Sequence, residues 1–254
     1  MNKQIKRLPI QTLRSDRISG LYMGYTHDNI WIPVRRISWD DEGYFYDSFL
    51  QGFEDNYEKI KGLVLNPAKG YTQTLKDKRV PAFLHSRIPH RSDSMVAYEL
   101  LGLSQQKGDF IALVARNVGK KHGDRYDIFP ELQPDNNGKY EFYFPIPGLA
   151  TLIKEGNQNV RDIADNITLK APVNLELFKD LGNIYHQGIR IGNCPQYLHY
   201  LLTNNPRAKY DLDICIINNH EFEYAYKIVA KLSICSTRSL YDLPQLAPLN
   251  FMPV

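Results

Sequence analysis

The sequence predicts an α+β protein in two parts. The first is a small N-terminal sheet with short helices. The second is a mainly β, barrel-like C-terminal domain with one helix. Three observations carry this expectation. Short apolar and aromatic runs broken by turn signals occupy residues 21–50 and return after residue 139. Helical spacing with caps and stops is confined to the segment between them. The run Pro-Asp-Asn-Asn-Gly at 134–138, the strongest turn signal in the chain, separates the two textures.

Taken in order, residues 1–20 are polar and basic without period and read as a flexible arm. Residues 21–50 read as an antiparallel meander, with turns at "THDN" and "DDEG". "SDSMVAYELLGL" begins with Ser and Asp cap candidates and stops at Gly102. "GDFIALVARNVGK" starts at Asp109 and stops at Gly119. After the 133–142 turn region come the strand-like runs "KYEFYFPI", "ITLKAPVNLELF", "IYHQGIRIG", "YDLDICIIN" and "YAYKIVAKLSICS". One helix, from Pro195 to Leu202, interrupts them, and a proline-rich tail follows. The expected organisation is an arm at 1–20, an α+β domain at 21–140, a β-barrel-like domain at 141–240 and a tail at 241–254.

Composition narrows the function classes. Hydrophobic residues make up 43% of the chain and charged residues 23%, which is the balance of a folded protein and not of a disordered one. No apolar run approaches the roughly 18 residues of a membrane span. The basic N-terminus has no apolar core region after it, so no secretory signal is expected. Cys194, Cys215 and Cys235 are odd in number and form no CxxC, so reduced thiols in a cytoplasmic protein are expected, with no metal site. A net charge of +3 neither announces nor excludes nucleic acid. The 17 tyrosines are the compositional oddity, because Tyr combines a flat apolar face with a polar tip.

No phosphate-loop, dinucleotide-binding, HExxH or GxSxG motif is present. His85 and His90 flank Pro89, which breaks any helix that would align them, and they read as surface residues beside a turn. Glu176 and Asp180 have no nucleophile placed beside them, so no catalytic residue and no cofactor is expected. Lys120, Lys121 and Arg125, with His122, sit in a glycine-bounded loop suited to phosphate contact. Arg35 and Arg36 lie beside Trp31 and Trp39, but neighbours in a strand point to opposite faces.

The C-terminal half resembles a HIRAN domain. That family has a strand ending in IG-x-x-P-x followed by an aromatic and aliphatic helix. Here the match is Ile191-Gly192-Asn193-Cys194-Pro195-Gln196, then Tyr197, Leu198 and Leu201. Asn193 stands where the family has an aromatic, and Gln196 where it has a basic residue. An upstream N-x-x-D loop is matched only by Asn174 with Glu176. The segment with Phe83, Pro89, Leu101-Gly102-Leu103, Asp109-Phe110, Leu113 and Gly119 is similar to the first subdomain of HipA-type proteins. Nothing in the chain matches the kinase core of those proteins, so this resemblance implies binding and not phosphoryl transfer.

The HIRAN resemblance implies recognition of single-stranded DNA or 3′ ends on a barrel surface. Tyr143, Phe144, Tyr185, His186, Tyr197 and Tyr200 are then the stacking candidates. Asn174, Asn193 and Gln196 would supply polar contacts, and Lys154, Lys170 and Arg190 would meet phosphates. Tyr143 and Phe144 are adjacent in a strand, so only one of them faces a given pocket. Two alternatives stand beside DNA binding. One is a protein-interaction module in which the N-terminal domain holds a protein partner. The other is a metal-dependent nuclease. No membrane partner is expected.

Overall fold

The computed structural model describes residues 6–7, 18–28, 30–40, 42, 45–60, 75–77, 91–103, 110–117, 125–218 and 224–249. The protein is α+β. After a two-residue strand β1 (Lys6–Arg7), the meander forms as expected: β2 (Ile18–His27), β3 (Ile30–Trp39) and β4 (Phe45–Phe49) pair antiparallel in sequence. β5 (Leu75–Asp77) adds to β4, and β6 (Tyr126–Leu132) adds to β2, giving the order β5-β4-β3-β2-β6. Gly24 lies at a register shift in β2, and a Cβ there would overlap the Trp31 indole. The missing side chain lets Trp31 lie flat across the sheet.

The short helices α1 (Gln51–Asp55) and α2 (Tyr57–Ile60) follow β4, and α3 (Arg91–Leu100) and α4 (Phe110–Arg116) precede β6. Gly102 stops α3 as its sequence suggests, with φ of 67°. The Gly102 amide donates to Glu99 and the Leu103 amide to Tyr98, the paired bonds of a Schellman stop. Asp109, Gly119 and the His85–His90 region lie outside the described residues. At the turn after β6, the Asp135 carboxylate accepts from the Asn137 and Lys139 amides, and Gly138 takes a φ of 73°. The chain there passes from the five-stranded sheet into the next one.

The second half holds β7 (Lys139–Pro145), helices α5 (Leu149–Lys154) and α6 (Gln158–Asn166), then β8 (Asn174–Leu177), β9 (Gly182–His186) and β10 (Ile189–Asn193). Helix α7 (Gln196–Asn204), β11 (Lys209–Ile217) and β12 (Ile228–Cys235) follow. Two of these helices were not expected. Asn157 caps α6 by accepting from the Val160 amide, and Val160 and Ala164 bury one helical face. "IYHQGIRIG" is not one strand but a hairpin, and "ITLKAPVNLELF" becomes strand only at its end. The arm is not wholly loose either. β1 pairs with the end of β11, and β2 already starts at Ile18.

These strands make two sheets, β1-β11-β12-β7 and β10-β9-β8. No continuous ladder closes them into a barrel among the described residues. Two seams bring them together instead. At one, the Lys170 amide donates to the Ile214 carbonyl and Pro172 bridges Asp213. At the other, the Asn193 amide donates to the Pro147 carbonyl, just past β7.

The interior does not divide at the 133–138 turn. A column of near-parallel rings runs from the tail through both halves. Tyr241 stacks on Tyr22 at 5.6 Å, Tyr22 on Phe129 at 5.1 Å, and Phe129 on Tyr197 at 4.7 Å. Trp31 meets Phe129 edge-on, and Tyr200 lies against Trp31. The tail closes over this column. The Tyr241 hydroxyl donates to the Pro130 carbonyl and accepts from the Leu132 amide. The Gln51 amide donates to Ala247, and the Leu249 amide to Phe49.

Two substitutions test this account. Tyr197→Ala removes a side chain with no exposed surface and should cost about 3–5 kcal/mol in urea unfolding. Tyr241→Phe keeps the stack but strands the Pro130 and Leu132 backbone groups, and should cost about 1–2 kcal/mol.

Candidate functional site

β10, which carries the Ile191-Gly192-Asn193 part of the motif, forms one edge of the three-stranded sheet, and α7 follows it. Gln187 and Gly188 have φ of 50° and 78°. Two residues with positive φ form the tight turn whose twist matches a hairpin, so β9 and β10 fold back directly on each other. Arg190 pairs with Tyr185, but Gly192 pairs with Ile184 and Asn193 with Asn183. Ile191 is the extra residue of a bulge, and it is fully buried. A bulge re-aims the residues on either side of it. Arg190 and Asn193, three apart in sequence, thus share one face, and Arg190 Nη2 donates to Asn193 Oδ1 at 2.7 Å.

Register then assembles the outer face of the sheet. One cross-strand row reads Asn174, Tyr185, Arg190, and the next reads Glu176, Asn183, Asn193. Asn183 Nδ2 donates to the Tyr185 hydroxyl at 3.3 Å. Leu175, Leu177, Ile184 and Ile189 point the other way, toward the core. Two buried histidines secure β8 from beneath. His186 Nδ1 lies 2.8 Å from the Pro172 carbonyl, before the strand, and His199 Nε2 lies 2.7 Å from the Phe178 carbonyl, after it. A carbonyl only accepts, so each of these ring nitrogens carries its proton.

Of the expected contact residues, Asn174, Tyr185, Arg190 and Asn193 come together on this face. Gln196 starts α7, half-buried, just beyond it. Lys170 is exposed with φ of 60°, four residues before Asn174. Lys154 ends α5 and is exposed. Arg125 is exposed before β6, and its carbonyl accepts from the Thr26 amide. Lys120 and Lys121 lie outside the described residues. Arg35 and Arg36 do take opposite directions, Arg35 to Asp47 at 2.9 Å and Arg36 to Glu131 at 2.7 Å.

Three of the expected stacking tyrosines are corrected. Tyr197 is sealed inside the ring column, and burial pushes its hydroxyl well above the ordinary range. Tyr143 is buried on the opposite face of β7 from Phe144. Its ring lies under the Arg116 guanidinium at 4.5 Å, and its hydroxyl donates to Glu141. Burial drives its ionisation up as well. Tyr200 is half-buried against Trp31, and burial pushes its hydroxyl up to about 12. The reason is common to all three: both faces of β7 and the inner face of α7 are covered, which an apolar pattern alone does not reveal. Phe144 and His186 are buried too.

Two residues of this face were missed. Asn183 looks like filler in sequence. Phe178, not singled out in the sequence, has the same strand parity as Asn174 and Glu176 and is 48% exposed. That alternation was the available signal. Glu176 and Asp180 are both exposed, and the described residues contain no group of His, Cys, Asp or Glu side chains arranged to hold a metal. None of the described helices is long and apolar enough to cross a membrane. No family model matches the chain, and no curated protein and no solved structure matches it.

Gly192 explains why the bulge tolerates only glycine. A Cβ there would strike Ile146 Cγ2 and come within 2.6 Å of the Pro147 carbonyl oxygen. Gly192→Ala should push the seam apart and cost about 1–3 kcal/mol in thermal or urea unfolding. The thiols give a second test. Burial raises Cys194 far above its usual range and Cys215 to about 12, whereas Cys235 is exposed. A thiol reagent at neutral pH should label Cys235 alone in the native protein, and all three thiols after denaturation.

Proposed function

We propose that this chain is a nucleic-acid-binding protein of the cytoplasm that holds single-stranded DNA or a free 3′ end on the outer face of β8–β10. The observation that carries the reading is the row Asn174, Tyr185, Arg190. It sets the half-buried ring of Tyr185 between the exposed Arg190 and the exposed Asn174 on the outer face of the sheet. A base stacked on such a ring gains roughly 1–3 kcal/mol whatever its identity. An arginine beside it supplies a charge-assisted bond to the adjoining phosphate. Asn193 holds that guanidinium in place before any ligand arrives, which lowers the ordering cost of binding. The mechanism is recognition without bond-making: the ring takes the base, Arg190 the phosphate, and the flanking amides the base edge. The resemblance to HIRAN domains supports the same ligand class, with the contact surface moved from the α7 tyrosines to the sheet.

Fluorescence anisotropy with labelled single-stranded, blunt and 3′-overhang DNA at two salt concentrations tests this reading. Single-stranded and overhang DNA should bind more tightly than blunt duplex, and affinity should fall with salt. Arg190→Ala should reduce the salt slope by about 0.7, the loss of one phosphate contact on a single strand. Tyr185→Ala should weaken binding by about 1–3 kcal/mol in protein whose urea-unfolding transition shows that it remains folded. Absence of binding to every DNA form would overturn the proposal.

A further inference from the structure

We infer that Phe178 is a second stacking platform of the same face, and that the face therefore takes a short single strand and not one isolated base. The inference rests on the nucleic-acid reading above and adds the occupant's length and direction. Phe178 follows β8 with the parity of Asn174 and Glu176, which are the outward residues. It is the most exposed aromatic ring in the second half among the described residues. An exposed phenylalanine loses nothing by staying flexible, yet this one sits on a fixed backbone. The Phe178 amide donates to the Leu181 carbonyl at 2.8 Å, and the buried His199 holds the Phe178 carbonyl at 2.7 Å. The ring is presented on a backbone anchored from both sides.

The spacing sets the occupant. Tyr185 lies opposite Asn174, four residues along β8 from Phe178, which is roughly 13 Å at strand rise. Bases in a stacked strand rise about 3.4 Å, so adjacent bases cannot reach both rings, whereas a segment of roughly three to five nucleotides can. Charge sets the direction. Arg190 and Asn193 line the β10 edge, while the exposed Glu176 carboxylate stands between the two rings on β8. Phosphates are repelled by Glu176 and attracted by Arg190, and the exposed Lys179 and Asp180 after Phe178 offset each other, so the sugar-phosphate chain follows β10 and the bases lie over β8. There Glu176 accepts from an exocyclic amine, the contact a carboxylate makes with cytosine.

Labelled oligo(dC) of about two to about eight nucleotides, bracketing the roughly three to five nucleotides that span both rings, measures this directly with the full chain, Phe178→Ala and Phe178→Trp. In the wild-type protein, affinity should rise about tenfold or more once the oligonucleotide reaches both rings, the gain of one further stacked base. Phe178→Ala should lose that step and keep the affinity of the shortest oligonucleotide. Phe178→Trp should retain the step, which a merely structural role for the phenylalanine would not produce. If the wild-type protein binds and Phe178→Ala shows the same length dependence, the inference is overturned and the Tyr185 reading stands. If the wild-type protein binds no oligonucleotide of any length, both fall together.

Discussion

The ring column of Tyr241, Tyr22, Phe129 and Tyr197 is the contact on which the rest of the structure depends. Its members come from the tail, β2, β6 and α7, so no single half of the chain can form it. Offset aromatic stacking adds to the large apolar area such rings bury. Trp31 and Tyr200 extend the column sideways, and the tail's backbone bonds to Phe49 and Gln51 close it. The two textures of the sequence thus end as sheets around one shared interior. An arrangement of this kind ties the position of α7, and with it His199 and the end of β8, to the N-terminal sheet.

That column also decides what remains for function. A high tyrosine content suggests a recognition surface, but here much of it is structural: Tyr22, Tyr140, Tyr143 and Tyr197 are all buried. The aromatic surface left in the second half is small: on the β8–β10 sheet Tyr185 and Phe178 provide it, and Tyr210 is exposed on β11. A small surface makes placement matter more than number. The Ile191 bulge aligns Arg190 with Asn193, and the two histidines hold β8 at both ends. Each of these devices acts on the backbone, and each sets the direction of a side chain that the chain order alone leaves open.

Much of the fold was legible locally. The 21–50 meander, the Gly102 stop and the Asp135 turn follow from turn chemistry and capping, which act within a few residues. Helices α5 and α6 were not read. The α6 cap at Asn157 and its apolar positions Val160 and Ala164 sit in a polar stretch with a short helical period, and α5 is only six residues long, with Gly148 before it and no side-chain cap. The "IYHQGIRIG" hairpin was missed for a related reason: Gln187 adopts positive φ although residues other than Gly, Asn and Asp rarely do so. Of the candidate site, the residues Asn174, Tyr185, Arg190 and Asn193 were picked out from the sequence, but so were Tyr143 and Tyr197, which point inward.

By itself, the sequence determined the fold class, the main turn between the two textures, and the supply of aromatic, amide and basic side chains. These depend on composition, periodicity and local backbone preference, which neighbours along the chain express. Only the tertiary structure decided which aromatics are exposed, that the sheets meet at two seams, and that a bulge puts Arg190 and Asn193 on one face. Those outcomes depend on what covers the second face of each strand. A strand's alternation says that two faces exist, but only packing between distant segments determines which of them meets water.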